Sequence, residues 1–167
     1  MLMDRTHQHG FTLVELVLTI IILGIVSAVA LPKFFSQSTF DERYFHDDLL
    51  SATRYAQRLA VASGCMVRLS VSTSGFSLVQ DSNCNLSSPS YGLTVTRPSD
   101  SEAFSNNDRP ANLTISSSES DYFFLPQGGA VDSGGASVGN ATITLSGSGS
   151  INRVIRIDGG TGYAYSN

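Results

Sequence analysis

The stretch FTLVELVLTIIILGIVSAVAL, residues 11–31, most restricts what this chain can fold into. Glu15 is its only charged residue, and three hydroxyl side chains are its other polar groups. About 20 apolar residues in a helix cover the roughly 30 Å hydrocarbon core of a bilayer. The stretch therefore predicts a helix that crosses a membrane once, with the short N-terminal piece in the cytoplasm and everything after Pro32 outside.

Glu15 is the residue that a simple membrane segment does not explain. A charged side chain within a spanning helix costs about 3 kcal/mol unless it has a partner, and an uncleaved anchor provides none. A secretory signal cut after Ala30 fits the small residues at positions 28 and 30, and it would release a soluble periplasmic protein, such as an enzyme, that begins at Leu31. However, Glu15 would then replace the positive flank that such a signal carries.

The motif HGFTLVEL, residues 9–16, offers a partner for this charge. It resembles the processing motif of type IV prepilins and type II secretion pseudopilins, in which a short leader ends in glycine, phenylalanine follows, and glutamate is the fifth mature residue. The resemblance implies that a membrane peptidase removes the leader, residues 1–10, by cutting between Gly10 and Phe11. It also implies methylation of the new Phe11 amine, and the apolar run is then retained in the mature protein.

Three residues of this segment are assigned to subunit assembly. In a packed helical assembly, the Phe11 amine of a neighbouring subunit is a cation that can neutralise Glu15. Pro32 has no N–H group to donate, so it is predicted to kink or end the first helix. Gly24 lies eight residues before Pro32, so the interval from Gly24 to Pro32 is predicted to be a helix with weakened ends. The assembly residues are therefore Glu15, Gly24 and Pro32.

A second helix is predicted at residues 39–63. Thr39 and Glu42 have the spacing of a capping box, and Gly64 is a predicted C-cap. Small and apolar side chains recur at helical intervals and are predicted to pack on a sheet. These residues are Phe45, Leu49, Ala52, Ala56, Leu59 and Ala60. The opposite face is interpreted as a solvated surface, and it carries Asp41, Asp47, Arg54 and Arg58.

The period of the apolar residues changes to two after residue 65. MVRLSV and FSLVQ predict a hairpin across the short link STSG. Further short strands are predicted at GLTVT, NLTIS, YFFL, TITLS and RVIRID. The predicted fold class is therefore α+β, with a long N-terminal helix and a head at residues 32–167 in which an antiparallel sheet, residues 65–167, packs on the second helix.

The second helix carries a further resemblance. FDERYFHDDLLSATRYAQRLAVASGC resembles a minor pilin of the mannose-sensitive haemagglutinin (MSHA) pilus, and YAQRLAVASG followed by a small sheet is similar to the pseudopilin H and type IV minor pilin T group. The resemblance implies a non-enzymatic subunit that acts in pilus assembly and initiation. A type II secretion pseudopilin and a tip-located adhesin or DNA receptor are the alternatives.

The same resemblance implies a location and a set of partners. The chain is expected to sit in the inner membrane with a cytoplasmic N-terminus and a periplasmic head, and later in the pilus at the cell surface. Its expected partners are other pilin subunits, the prepilin peptidase and methyltransferase, and the inner-membrane assembly platform. No cofactor is implied.

The charges argue against a nucleic-acid partner. The net charge is −4, which gives no general attraction to phosphate backbones. Arg153 and Arg156 are the candidates for DNA contact near the C-terminus. Because they are three residues apart on a predicted strand, they should point to opposite faces of the sheet. No aromatic stacking platform is recognised beside them.

Cys65 and Cys84 are the two cysteines of the chain. Disulfides persist in the compartment outside the inner membrane, so a bond between them is predicted. It would tie the end of the second helix to the loop after the first hairpin. Two free thiols are the alternative, because spacing alone does not prove pairing.

No catalytic site is predicted. His46 would be the only imidazole in the mature protein, and any histidine-dependent triad would have to use it. Because it lies on a helix beside Asp47 and Asp48, it is interpreted as a surface histidine.

No metal or phosphate site is predicted either. Lys33 is the sole lysine, so the glycine-rich stretches QGGAVDSGGASVG and DGGTG do not match a phosphate loop. Two cysteines without a close histidine do not make a zinc site. Asp132 and Asp158 lie in these glycine-rich loops, but without the repeated oxygen-ligand spacing of a calcium loop.

Overall fold

The computed structural model describes residues 11–34, 37–147 and 152–166, so the predicted leader with Gly10 lies outside the described residues. The chain divides into two compact units, Met1–Gln37 and Ser38–Asn167. In the first unit, helix α1 spans Leu13–Phe34. The first helix does not end at Pro32, because α1 continues to Phe34, and a kink at Pro32 stays a prediction. A proline removes only its own N–H donor, and the other backbone bonds of the helix can remain.

Helix α2 spans Gln37–Ser63. Because it already includes Gln37, the prediction that a capping box at Thr39 begins the helix is wrong. Its predicted end is confirmed. Gly64 has a φ of +74°, and its N–H donates to the Ala60 carbonyl over 3.1 Å. Glycine adopts this left-handed conformation without the steric cost that a Cβ would bring, which explains why α2 stops at Ser63.

The two faces of α2 largely follow the predicted pattern. Leu59 is partly buried, and the other predicted core positions of the helix are buried, namely Phe45, Leu49, Ala52, Ala56 and Ala60. On the opposite face, Asp41, Asp47 and Arg58 are exposed as predicted. Arg54 departs from that prediction, because it is half-buried and its Nε donates to the Ala164 carbonyl over 2.9 Å.

The described residues of the second unit form ten strands, numbered along the chain. They are β1 (Val67–Val71), β2 (Phe76–Gln80), β3 (Leu93–Thr94), β4 (Ser105–Asn106), β5 (Thr114–Ser117), β6 (Asp121–Phe124), β7 (Ala130–Val131), β8 (Asn140–Ser146), β9 (Asn152–Asp158) and β10 (Ala164–Ser166). Sheet 1 has the order β3-β2-β1-β6-β7, with β4 also paired to β2, and sheet 2 has the order β10-β9-β8-β5. All of the named pairs are antiparallel, as predicted.

The sequence predicted seven of these strands and one sheet. β4, β7 and β10 were not predicted, because two or three residues are too few to show an alternating pattern. The strands also separate into two sheets. Alternation along a strand indicates which face is buried, but it does not indicate which other strand will pair with it.

One hydrophobic core lies between α2 and the inward faces of both sheets. The rings of Phe45 on α2 and Phe76 on β2 meet edge to face, with centroids 5.8 Å apart. Tyr122 of β6 is fully buried, and its hydroxyl bonds to the Ser117 hydroxyl of β5 over 2.6 Å. This bond links the two sheets. The fold class predicted from the sequence, an α+β head with a helix packed on antiparallel strands, is confirmed.

Candidate assembly segment and head contacts

Helix α1 exposes apolar side chains around its whole circumference. The exposed residues between Leu13 and Val26 include leucines, isoleucines and valines at almost every position. A Cβ built on Gly24 would meet no atom within 4 Å. An amphipathic helix that packs on its own chain buries one stripe of side chains, whereas here all sides are available to other molecules.

Within the part of the chain that the structure describes, no helix is both long and apolar enough to cross a membrane. A single membrane crossing at residues 11–31 therefore stays a prediction.

Thr12 caps the N-terminus of α1. The Glu15 N–H donates to the Thr12 hydroxyl over 3.2 Å, and the Leu16 N–H donates to the Thr12 carbonyl over 3.1 Å. Thr12 is thus the N-cap, and Glu15 lies in the first turn, where the helix dipole favours a negative charge by about 0.3–1 kcal/mol. This N-cap was not predicted from the sequence. The Thr-x-x-Glu spacing of a capping box was the signal that could have found it.

Phe11 is exposed and directly precedes the N-cap of α1. A free amine at Phe11 would therefore stand at the positive end of the helix dipole, which disfavours a cation. Gly10, the other predicted processing residue, lies outside the described residues.

In the head, Cys65 and Cys84 form the predicted disulfide, with their Cα atoms 4.4 Å apart. The alternative of two free thiols is wrong. Cys65 follows the C-cap of α2, and Cys84 lies in the loop after β2. The same loop is held by the buried carboxylate of Asp81, which accepts bonds from the Ser90 N–H over 2.7 Å and the Asn83 N–H over 3.2 Å.

His46 is not the surface histidine that the sequence suggested, because only 2% of it is exposed. Its Nε2 bonds to the Ser166 hydroxyl over 2.9 Å, and its Nδ1 bonds to an Asp47 carboxylate oxygen over 2.8 Å. The physical reason for the error is β10, an unpredicted strand whose last residue is Ser166. This contact fixes the C-terminal strand to α2.

The bonds among Ser166, His46 and Asp47 follow the pattern of a serine hydrolase triad, so their surroundings matter. In a hydrolase the imidazole must reach the substrate as well as the serine, and the carboxylate is buried. Here His46 is almost fully buried, whereas the Asp47 side chain is 70% exposed to water. The exposure of the histidine and of the aspartate is therefore the reverse of that in a catalytic triad. The contact is structural.

Asp48 is also buried, although it directly follows the exposed Asp47. Its carboxylate forms a bidentate ion pair with Arg97, in which one N–H···O distance is 2.9 Å, and it accepts a bond from the Asn106 side chain over 2.9 Å. The Arg97 guanidinium also lies over the Phe104 ring, 4.6 Å from its centroid. These contacts, here called the Asp48 clamp, attach the loop that carries β4 to α2.

A groove of about 610 Å³ lies beside the Asp48 clamp. Four carboxylate side chains contribute to its lining, namely Asp41, Asp100, Glu102 and Asp108. Arg97 is the basic residue of the lining, and its charge is already paired with Asp48. Within residues 11–34, 37–147 and 152–166, no group of three or more His, Cys, Asp or Glu side chains could hold a metal ion. The groove is therefore acidic and unsuited to a phosphate backbone.

Arg153 and Arg156 point to opposite faces of sheet 2, as predicted. Arg153 stands opposite the buried Leu145, whereas Arg156 stands opposite Tyr165 on the outer face. Tyr165 is the cross-strand neighbour of Arg156, and its ring lies within 18° of parallel to that of Tyr163, with centroids 6.2 Å apart. Tyr163 directly precedes β10 and Tyr165 lies within it, so this ring pair was not visible before that strand was known.

Comparison with protein-family models shows to which family the chain belongs. Residues 5–31 match the prokaryotic N-terminal methylation motif. Residues 47–161, more than half of the chain, match the family described as type II transport protein GspH. The chain belongs to the GspH family.

The fold of this GspH-family chain is similar to a solved structure. The crystal structure of the type IV minor pilin FimU of Pseudomonas aeruginosa (strain PAO1) superposes with a TM-score of 0.52, at 16% sequence identity, over 75% of this chain and 87% of FimU. This likeness supports a type IV pilin-like fold. No curated protein sequence matches the chain.

The disulfide of the GspH-family head is expected to contribute about 3 kcal/mol to the free energy of unfolding. It closes a loop with a sequence separation of 19 residues, and chain-entropy models give about this value for such a loop. The full-length chain in detergent micelles, with both Cys65 and Cys84 replaced by serine, should therefore unfold at lower urea concentration. Reducing the wild-type protein should cause the same loss, and the serine variant should not respond to reductant. Equal urea midpoints for the oxidised wild type and the variant would contradict this prediction.

Proposed function

We propose that this GspH-family chain is a minor pilin of a type IV pilus of the MSHA type, which acts in pilus assembly and initiation after cleavage of its leader and methylation of Phe11. The observation that carries the proposal is α1, a helix with apolar side chains exposed on all sides. The match of residues 5–31 to the N-terminal methylation motif supports the same role. Pilin-like proteins are structural subunits, which agrees with a non-enzymatic role.

The proposed topology follows from this role. Residues 1–10 are the leader, residues 11–31 cross the inner membrane with the N-terminus in the cytoplasm, and residues 32–167 form a head that is periplasmic and later lies on the cell surface. The partners are the prepilin peptidase and methyltransferase, the assembly platform in the inner membrane, and other pilin subunits. The subunits pack through α1, to which Glu15, Gly24 and Pro32 belong.

A pairing between Glu15 and the Phe11 amine of a neighbouring subunit is part of the proposal. The amine stands at the positive end of α1, and Glu15 is an exposed carboxylate in the first turn. Within a packed assembly, the two groups compensate each other, whereas either group alone would be an unpaired charge among apolar side chains.

A pseudopilin of type II secretion is the second candidate. The matched family is described as a type II transport protein, whereas the similar solved structure is titled a type IV minor pilin. The MSHA assignment rests on the resemblance of the segment at residues 40–65 to a minor pilin of that pilus. Deletion of the gene separates the two candidates, because it should remove surface pili in the first case and block enzyme secretion in the second.

A tip-located adhesin or DNA receptor receives less support from the head. Its large groove is lined by carboxylates, and of the two C-terminal arginines only Arg156 lies on the outer face of sheet 2. We therefore favour a role in assembly over recognition of nucleic acid.

The N-terminal residue of the mature protein tests the proposed function. Mass spectrometry of the membrane-extracted chain should find methylated phenylalanine at position 11. Gly10→Val should leave a full-length precursor in the inner membrane, because a side chain before the cut obstructs a peptidase that accepts glycine there. Normal maturation of Gly10→Val, or a native N-terminus at Leu31, would contradict the proposal.

A further inference from the structure

The two outer edges of sheet 2 are protected very differently. β10 forms one edge, and side chains of α2 cover it: Arg54 donates to the Ala164 carbonyl, and His46 bonds to the Ser166 hydroxyl. β5 forms the other edge, and within the described residues no strand pairs with its outer side. An open edge presents unpaired N–H and C=O groups that can bind another chain.

The ladder between β5 and β8 determines which backbone groups of β5 face outward. The Ser118 N–H donates to the Thr142 carbonyl over 3.0 Å, directly after the last paired residue of β5. In an antiparallel ladder, alternate residues turn both backbone groups toward the partner strand. Ser116 therefore bonds to β8, whereas Ile115 and Ser117 turn their N–H and C=O groups toward the open edge. The outward N–H and C=O groups of Ile115 and Ser117 are spaced so that the backbone of another extended segment can pair with them.

β5 lacks the features that usually protect an edge strand. Its sequence TISS contains no charged residue and no proline, which are common protective devices. In sheet 1, the strands β3, β4 and β7 have only two residues each, so their edges are too short to bind a strand firmly. Among the described strands, β5 is thus the edge best suited to strand addition.

A groove of about 290 Å³ borders this edge. One wall comes from Val71, Ser72 and Thr73 at the end of β1, and the other comes from β5 and the residues after it. The lining is apolar at Val71 and Ile115, carries one carboxylate at Glu119, and bears hydroxyl groups at its other residues. Because there is a wall on each side, the space suits one extended segment with small or apolar side chains and not the whole sheet of another head.

We propose that the open edge of β5 binds an extended segment of a different subunit, which adds to sheet 2 as a fifth strand. This inference rests on the proposed function, because the partner is a subunit of the same assembly. The main chain of the segment bonds to Ile115 and Ser117, and one of its apolar side chains enters the groove beside Val71.

A matched pair of lysine variants tests the edge. Ser116 and Thr144 stand opposite each other on β5 and β8, and both side chains lie on the outer face of sheet 2. A lysine on an edge strand opposes strand addition, whereas a lysine on an inner strand does not alter the edge. Ser116→Lys should lower the amount of subunit in sheared fibres at least tenfold, and Thr144→Lys less than twofold, at normal abundance and leader cleavage. Equal effects of the two variants would overturn the proposal.

Amide hydrogen exchange tests the backbone pairing directly. In the full-length chain in detergent micelles, the Ile115 and Ser117 amides should exchange at least tenfold faster than the Ser116 amide. In fibres that contain the chain, both amides should slow to the rate of Ser116. Unchanged exchange of Ile115 and Ser117 in fibres would overturn the proposal, and so would a β5-to-β5 contact between two copies, detected as a disulfide dimer of Thr114→Cys.

The variant Glu15→Leu separates failure of this inference from failure of the proposed function. If Glu15→Leu removes the subunit from fibres and Ser116→Lys does not, the assembly role stands and strand addition is overturned. If Glu15→Leu leaves the amount of subunit in fibres unchanged, the proposed function fails and strand addition to an assembly partner falls with it.

Discussion

Replacing Asp48 with alanine is expected to lower the free energy of unfolding of the head by about 3–5 kcal/mol. The change removes both acceptor oxygens of the Asp48 clamp. Arg97 then keeps its bond to the Ser105 carbonyl but loses its counter-charge, and Asn106 loses its acceptor. An uncompensated charge that is mostly buried costs far more than the net value of the pair itself, which is why this substitution should be among the most damaging in the head.

Asp41→Ala is the matched control for Asp48→Ala. It removes the same charge from α2, but Asp41 is exposed. Surface charges contribute about 0–1 kcal/mol, so this control should lose at most about 1 kcal/mol. Asp48→Asn keeps the size of the side chain and one acceptor oxygen, and it should fall between the two. Urea denaturation of the full-length variants in detergent micelles measures all three, and equal losses for Asp41→Ala and Asp48→Ala would contradict the clamp.

The pH dependence of this loss can be stated from Arg97. The hydrogen bond from its guanidinium to Asp48 raises the pKa of Arg97 above its ordinary value, and burial opposes this change. A cation whose pKa is raised on folding adds stability that is fully present below its unfolded pKa. This stability is lost as the pH rises from the unfolded pKa through the higher folded pKa. The difference between wild type and Asp48→Ala due to Arg97 should therefore stay constant from about pH 6 to about pH 9.

The local patterns of this sequence predicted the elements well. Phe45, Leu49 and Ala52 recur at helical spacing, and their burial in α2 follows from that periodicity alone. Likewise, the alternation in MVRLSV and FSLVQ predicted β1 and β2 as an antiparallel hairpin. In each case the information lies within a few neighbouring residues, so the printed sequence was sufficient.

The contacts that were missed join residues far apart in the chain. Asp48 and Arg97 are separated by 49 residues, and His46 and Ser166 by 120 residues. No periodicity connects such pairs, so His46 was assigned to the surface and the burial of Asp48 was not predicted. The open edge of β5 depends in the same way on the order of strands in sheet 2, which becomes known only when β10 and β8 are in place.

The assembly segment shows a different limit of sequence reasoning. Glu15 was singled out correctly as unusual within an apolar helix, but its contact with Thr12 was not recognised although the Thr-x-x-Glu spacing is visible in the sequence. Two roles therefore coincide at Glu15, a local one in the first turn of α1 and a proposed one in pairing with another subunit. Their expected energies differ enough to separate them.

Glu15→Leu is expected to reduce pili per cell severely while the subunit is still cut after Gly10 and held in the inner membrane. If the Glu15 charge only interacts with the dipole of α1, the change costs about 0.3–1 kcal/mol of helix stability and improves the apolar run as an anchor. If Glu15 pairs with the Phe11 amine of a neighbour, the change leaves that cation unpaired among packed helices, at about 3–5 kcal/mol. The two roles therefore predict effects of different size and, for membrane anchoring, of opposite sign.

Further variants separate the charge of Glu15 from the N-cap at Thr12. Glu15→Gln keeps the size of the side chain and the backbone N–H that bonds to Thr12 but deletes the charge, so it should reduce piliation as severely as Glu15→Leu. Glu15→Asp keeps the charge on a shorter arm and should be intermediate. Thr12→Ala removes the N-cap, at about 0.5–2 kcal/mol, but leaves the Glu15 charge in place, so it should reduce piliation much less.

The measurement is the number of pili per cell in strains whose only gene copy carries each substitution, with subunit abundance followed by immunoblot. The decisive comparison is between Glu15→Gln and Thr12→Ala at equal abundance. Severe loss in Glu15→Gln alone means that assembly requires the carboxylate charge, as pairing with Phe11 demands. Severe loss in Thr12→Ala alone would assign the importance of this turn to the cap of α1, and wild-type piliation in Glu15→Leu would remove Glu15 from assembly altogether.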